Sequence, residues 1–289
     1  MSTTVGMIGL GAMGAPMARN LAKRHLLTSV WNRTGRKARN LAAELNVIAA
    51  DTPQVLAKKC HVIAICVSRD GDVLEVIDKL LPGIQPGTVV IDHSTVSMET
   101  ARKAAEKVRA RAADFLDAPV SGGVEGAQAG TLSVMAGGPR QALDKAMPAL
   151  KAIGKRIEHM GDIGSGQATK AVNQILCAGI NQAVTEALAF GMTLGLDMDK
   201  VIDAVSGGAA GNWFLEKRGP TMIRHRFDPG FKLALHHKDL KICQHMAEQA
   251  GLSLPLASQT LEDYQRLMDE GFGEEDISAL FRLKKRAAL

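Results

Sequence analysis

The chain has 289 residues, 46% of them hydrophobic but only 3% aromatic, with a formal net charge of +5 and a pI near 9.0. That length buries a core large enough for a nucleotide domain joined to a smaller one, resting on Ala, Val, Ile, Leu and 13 Met. Lys and Arg are interspersed with acids rather than clustered, so the basic excess argues against a nucleic-acid surface and suits an anionic cofactor and a carboxylate substrate. Cys60, Cys66, Cys177 and Cys243 are scattered without a CxxC pair, which argues against a disulfide frame or a zinc site and for a reducing cytoplasm. No membrane span is expected: the start MSTTVGMIGLGAMG lacks a basic region and a long apolar run, and the apolar stretch after Ile175 is interrupted by Asn181, Gln182 and Glu186.

From Val5 to about Glu158, short β-branched runs (VGMIGL, LTSVW, VIAICV, TVVID) alternate with Ala-rich amphipathic stretches such as ETARKAAEKVRA. This alternation predicts an α/β, Rossmann-type doubly wound sheet, mostly parallel and covered on both faces. After Gly164 the texture changes. One helical pattern without proline runs from about Ser165 to Leu194, and an all-α C-terminal domain follows, punctuated at Gly207-Gly208, Gly219-Pro220, Asp228-Pro229-Gly230, Gly251 and Gly271. The expected organisation is a nucleotide domain over 1–163, a long interdomain helix over 164–194 and a helical domain over 195–289. The charged end LKKRAAL reads as a solvated helix terminus.

Gly9-Leu10-Gly11-Ala12-Met13-Gly14 is a GxGxxG run placed directly after a strand and before the helical stretch APMARNLAKR. In that context Gly9 allows the tight turn, Gly11 lets the backbone approach a pyrophosphate, and Gly14 lets helix pack on strand. At the end of the second strand an NAD site usually carries Asp or Glu, but this chain reads Trp31-Asn32-Arg33-Thr34. With no carboxylate to repel it, a 2′-phosphate could be held by Arg33 with the Asn32 and Thr34 side chains, so NADP(H) is expected over NAD(H).

MIGLGAMGAPMARNL (7–21), Asp117-Ala118-Pro119-Val120-Ser121-Gly122-Gly123, GSGQATKAVN (164–173) and Lys238-Asp239-Leu240 together resemble, in order and spacing, the signature segments of the β-hydroxyacid dehydrogenase family. The resemblance spans essentially the whole chain. It implies hydride transfer between a nicotinamide cofactor and a short β-hydroxy acid or semialdehyde of the 3-hydroxyisobutyrate, tartronate or succinic semialdehyde class. Lys170 would be the catalytic residue, Asn173 would act with it as a substrate ligand, and Ser121, Gly122 and Gly123 would bind the substrate carboxylate. Thr95 and Lys238 would contact the cofactor, and Val67 and Ser68 are placed in the same set. An ammonium suits the proposed step, since an alkoxide formed by hydride transfer needs both a proton and a stabilising charge. Lys170 and Asn173, three apart, share one face of a helix.

Other residues carry weaker signals. His236 and His237 are adjacent, point in different directions on a helix and lack a completing carboxylate pattern; His93, between Asp92 and Ser94, reads as structural. Trp213 and Phe214 read as core or pocket lining. Rival readings on this scaffold are an imine reductase-like enzyme, which generally lacks the lysine matching Lys170, and a non-enzymatic NADPH-binding module. The loop DAPVSGG departs from the GPVSG form of the glyoxylate branch, which argues against a strict glyoxylate reductase. By resemblance, a homodimer or homotetramer is expected.

Overall fold

A computed structural model describes residues 3–286, with side chains to residue 284. The first two residues of the start and the last three of the LKKRAAL end lie outside the described residues. The chain divides into two compact units, Met1–Lys170 and Ala171–Leu289.

The first unit begins with β1 (Val5–Ile8), α1 (Gly14–Lys23), β2 (Leu27–Trp31), α2 (Gly35–Leu45), β3 (Ile48–Ala49), α3 (Pro53–Ala57), β4 (Val62–Ile65) and α4 (Asp70–Leu80). It continues with β5 (Val89–Asp92), α5 (Met98–Arg109), β6 (Asp114–Asp117), β7 (Val120–Ser121), α6 (Gly123–Ala129), β8 (Leu132–Gly137), α7 (Arg140–Ile153) and β9 (Gly154–Gly161). The strand order is β3-β2-β1-β4-β5-β6-β8-β7, with β9 on β8. Six strands, β3 through β6, are parallel in the 3-2-1-4-5-6 arrangement of a doubly wound nucleotide fold. Every residue of β1, β4 and β5 is buried, which is why these strands read as unbroken β-branched runs: helices cover both faces. One face packs Met7, Met17, Leu21, Val62 and Ile91. The other packs Ile8, Leu56, Ile63, Ile77 and Phe115.

Sequence reading did not anticipate the far edge of this sheet. β8 pairs antiparallel with β6 and β7 and parallel with β9. The β7 segment is only two residues, and β8, LSVMAG, carries a single β-branched residue, Val134, so neither shows the β-branched run that marks the parallel strands.

α8 (Ser165–Thr193) crosses from the first unit into the second. Then come α9 (Met198–Ser206), α10 (Trp213–Met222), α11 (Leu233–Gln249), α12 (Pro255–Asp269), a 3₁₀ turn (Ile277–Leu280) and α13 (Phe281–Arg286). The second unit is therefore helical among its described residues, around Leu188, Phe214, Met222, Leu240, Tyr264 and Phe281. Gly207, Gly251 and Gly271 fall just past helix ends as expected. Gly219-Pro220 does not break the chain: α10 runs through it to Met222. Pro220 lies in the last turn, where little helix remains to be disrupted, and the bare Gly219 backbone lets Ile202 of α9 pack close, 3.1 Å from where a Cβ would stand.

By length and hydropathy α8 could cross a membrane. Its middle instead makes buried polar bonds within the second unit. Asn181 donates to Tyr264 Oη (2.9 Å) and the Ile277 carbonyl (2.8 Å), and Gln182 donates to Asp263 (2.9 Å). Glu186 stands exposed.

Candidate active site

In a doubly wound sheet, ligands bind beyond the carboxyl ends of the strands, where the strand order reverses; here that is between β1 and β4. The glycine-rich loop follows β1. Gly9 has φ +87°, and a Cβ there would fall 2.1 Å from the Cys66 carbonyl oxygen; a Cβ on Gly14 would fall 1.9 Å from the Gly9 carbonyl oxygen. Both positions exclude any larger residue. Around Gly11 nothing lies within 4 Å of the corresponding point, and Gly11 and Ala12 are exposed. The loop thus presents open backbone at the start of α1, whose first turn carries no acidic residue. These features fit the diphosphate of a dinucleotide. Leu10 is buried and Met13 half-buried beneath that crest.

At the end of β2 the three expected residues diverge. Asn32 turns its amide into the loop itself: its Oδ1 accepts from Leu10 N–H (2.9 Å) and its Nδ2 donates to the Thr34 carbonyl (3.2 Å). Arg33 is exposed and its Nη1 donates to Asp72 of α4 (3.1 Å). Thr34, also exposed, precedes α2 without capping it through its hydroxyl.

The next strand ends are tied by buried side chains. Val67 N–H donates to Ser94 Oγ (2.9 Å), and Ser94 N–H donates to Asp92 Oδ1 (2.9 Å). Thr95 lies half-buried beside Ser94, and Ser68 is exposed. The Asp92 carboxyl is fully buried, its Oδ2 has no hydrogen-bond partner, and burial pushes it up to about 7, assisted by the charges of Asp117 and Asp70 and opposed by its bonds from Ser94. His93 is buried, with Nδ1 bonded to the Ala118 carbonyl (2.8 Å), and burial holds it down at about 4, so it is a neutral structural imidazole as expected. Burial pushes the Cys66 thiol up to about 12, which removes it as a nucleophile near neutral pH.

Asp117, at the end of β6, accepts from Gly164 N–H (2.8 Å) on Oδ1 and from Gln167 N–H (2.9 Å) on Oδ2, so it caps the start of α8. Burial pushes this carboxyl up to about 6 against those bonds. The second turn of α8 then brings Lys170, which is buried at 7% exposure. Ser121 ends β7, and Gly122 (φ +131°) and Gly123 (φ +64°) turn the chain into α6, using backbone angles open to glycine.

In the second unit Asn173 Nδ2 donates to Gln174 Oε1 (2.7 Å). Gln174 Nε2 donates to Asp239 Oδ2 (2.6 Å), and Asp239 Oδ1 pairs with Lys238 Nζ (2.8 Å). Two residues singled out far apart in the sequence, Asn173 and Lys238, are thereby joined through Gln174 and Asp239. His236 is buried between Tyr264 Oη and the Gln174 carbonyl (both 3.1 Å), and burial lowers His237. Phe214 is core, whereas Trp213 is exposed with Arg218 stacked 5.2 Å from its ring centre.

Sequence reasoning missed roles for Asp92, Asp117, Gln167, Gln174 and Asp239. The available signal was a carboxylate closing each of two consecutive apolar strands, TVVID and DFLD, since a buried acid needs donors to hold it.

The loop, the sheet and the strand-end residues define a dinucleotide-binding oxidoreductase. Residues 4–161 match the family described as the NAD binding domain of 6-phosphogluconate dehydrogenase, and residues 164–284 match the NAD-binding domain of NADP-dependent 3-hydroxyisobutyrate dehydrogenase. The chain is 36% identical to the 2-hydroxy-3-oxopropionate reductase of Escherichia coli, covering 96% of this chain and 95% of that one. It is 34% identical to the NAD-dependent L-serine dehydrogenase of Pseudomonas aeruginosa, covering 96% and 97%. Among solved structures, the 3-hydroxyisobutyrate dehydrogenase of Mycobacterium tuberculosis with L-serine superposes with a TM-score of 0.89 at 30% identity, over 98% of this chain and 99% of that one. The chain belongs to the β-hydroxyacid dehydrogenase family, whose members bind NAD(P) and act on small hydroxy acids.

Proposed function

We propose that this enzyme interconverts a short β-hydroxy acid and its semialdehyde, of the 3-hydroxyisobutyrate, tartronate or succinic semialdehyde class, with NADP(H) preferred over NAD(H). The observation that carries the reading is Lys170, a buried lysine on the helix whose start is capped by Asp117, in the segment that resembles the family's catalytic one. When bound, the nicotinamide supplies or accepts the hydride. Lys170 gives its ammonium proton to the carbonyl oxygen as that oxygen becomes a hydroxyl, and its neutral amine removes the same proton in the oxidation direction. Asn173 contributes a polar contact to the substrate, and Ser121, Gly122 and Gly123 take its carboxylate. Gly9 to Gly14, Val67, Ser68, Thr95 and Lys238 hold the cofactor.

NADP(H) preference is supported by the absence of a carboxylate at the end of β2 and by Arg33, whose exposed guanidinium keeps donors beyond the one given to Asp72. Asn32 supports that site indirectly, by pinning the glycine-rich loop. The organisation proposed is a nucleotide domain over 1–163, a linking helix over 164–194 and a helical domain over 195–289. A cytoplasmic location is supported by four free cysteines. A homo-oligomer is supported by Val172, Leu176 and Ile180, exposed at helical spacing along α8.

The test follows NADPH and NADH oxidation with a panel of short semialdehydes, comparing wild type with Lys170→Ala at matched folded concentration. The expected outcome is turnover favouring NADPH, reduced about 10²–10⁴-fold in the variant. Cofactor binding without turnover of any acid-bearing carbonyl would overturn the substrate class.

A further inference from the structure

The buried bonds at the strand ends converge on a residue to which neither the sequence motifs nor the proposed chemistry gives a role. Gln167 is 1% exposed. Its Oε1 accepts from Val96 N–H (3.1 Å) and its Nε2 donates to the Ser94 carbonyl (2.8 Å), so one amide group grips the backbone on both sides of Thr95. Its own N–H is held by Asp117, and Lys170 follows three residues later on the same helix. Ser94 in turn holds Val67. The loops after β4 and β5, the end of β6 and the start of α8 are therefore linked through Gln167.

We propose that Gln167 is a positioning residue, whose side-chain amide sets the cofactor-binding loop 94–96 against the start of the helix that carries Lys170. The proposal rests on the reading above for Thr95 and Lys170. Burial without solvent makes both bonds matter: a side chain that satisfied only one would leave a backbone group of the loop unpaired, and the loop would move to recover a partner. Glutamine provides one acceptor and one donor in a fixed fork, which matches the N–H and C=O that flank Thr95.

Gln167→Glu and Gln167→Met separate this role from packing. The glutamate keeps the acceptor for Val96 but faces the Ser94 carbonyl with a donor only when protonated. The ionisable groups on the elements around it are Asp92 at the end of β5, His93 just after it, Asp117 on β6, Asp70 of α4, which accepts from Ser97 N–H, Cys66 after β4, and Lys170 on α8. Burial and the neighbouring acids raise the affinity of such a glutamate for its proton.

NADPH affinity, read from the fluorescence of the bound cofactor, reports on loop 94–96 whether or not the right substrate is in hand. Gln167→Met is expected to weaken NADPH about tenfold at every pH, the loss of one net hydrogen bond or slightly more. Gln167→Glu should show the same defect near pH 8.5 and recover most of it near about pH 5.5, where the acid donates again. In turnover, KM for NADPH should rise and kcat fall, while KM for the semialdehyde changes less than about twofold. Wild-type affinity in both variants, with unaltered melting curves, overturns the proposal, as does a Gln167→Glu defect that is flat with pH. If Gln167→Met does not fold, the pH recovery of Gln167→Glu alone decides. Wild type that binds NADPH but reduces no semialdehyde would discredit the substrate reading and leave this test intact.

Discussion

Both units bury polar side chains, but they use them differently. In the first unit Asp92, Asp117, Ser94 and Gln167 hold backbone loops at the carboxyl ends of strands, and the set is imperfectly satisfied: one oxygen of Asp92 has no partner and both carboxyls are pushed well above their ordinary range. In the second unit Asn181, Gln182, His236, Tyr264 and Asp276 join helix to helix, or helix to loop, and this set too leaves atoms unmatched, at Asn181 Oδ1, Ser206 Oγ and Ser278 Oγ. An unmatched buried polar atom costs stability in either unit; what separates the two is what the bonded atoms hold, loops at strand ends in the first and pairs of helices in the second.

The contrast breaks most sharply at Asp276. Its carboxylate is 1% exposed and accepts from Gly230, Phe231 and Ser278 N–H groups while pairing with Arg218 at 3.4 Å. Asp276→Ala leaves three backbone donors and a largely buried guanidinium without it, so denaturant unfolding should show a loss of about 3–5 kcal/mol. A loss below about 1 kcal/mol would mean that the second unit's network is incidental.

Asp92→Asn tests the first unit in the opposite sense. The folded carboxyl titrates near 7, against about 3.9 in an unfolded chain, so between those values the folded protein holds the extra proton. Its stability therefore falls as pH rises from about 4 to 7 and stays at the lower level above that. Asparagine keeps the acceptor for Ser94 N–H and cannot ionise. Thermal unfolding should show the variant more stable than wild type at pH 8, on the order of 1–3 kcal/mol, with the gain vanishing toward pH 4. A variant less stable at both pH values would show that the Asp92 charge is compensated in the folded state.

Tyr264→Phe sharpens the comparison at its smallest. The buried hydroxyl bonds Asn181 and His236, and removing it should cost about 1–2 kcal/mol with little effect on NADPH affinity, measured by chemical unfolding and by cofactor fluorescence. A selective loss of NADPH affinity would show that this contact serves the site rather than the packing of α8, α11 and α12.

Much of this was legible in order along the chain. Four of the six parallel strands, β1, β2, β4 and β5, announced themselves as β-branched runs between helical stretches, while β3, two residues long, and β6, DFLD with no β-branched residue, did not; the glycine loop was legible because only glycine fits where a Cβ would meet a carbonyl at about 2 Å. The helix over Ser165–Thr193 was readable from thirty residues without proline. The edge strands β7 to β9 were not, since each carries a single β-branched residue, Val120, Val134 or Ile157, in place of a run.

What the sequence by itself determined is the nucleotide fold, the family and the candidate residues of the site, because each depends on short-range pattern: alternation, glycine spacing, a lysine and an asparagine three apart on a helix. What only the tertiary structure decided is how those residues are held. Asn32 was read as a phosphate ligand, and the fold bends its amide back onto Leu10; Arg33 meets Asp72 thirty-nine positions away. Gln167 grips a loop seventy-one positions earlier. A hydrogen bond of that kind depends on two backbones being brought within about 3 Å by packing of elements distant along the chain, and no local pattern in either segment encodes that approach.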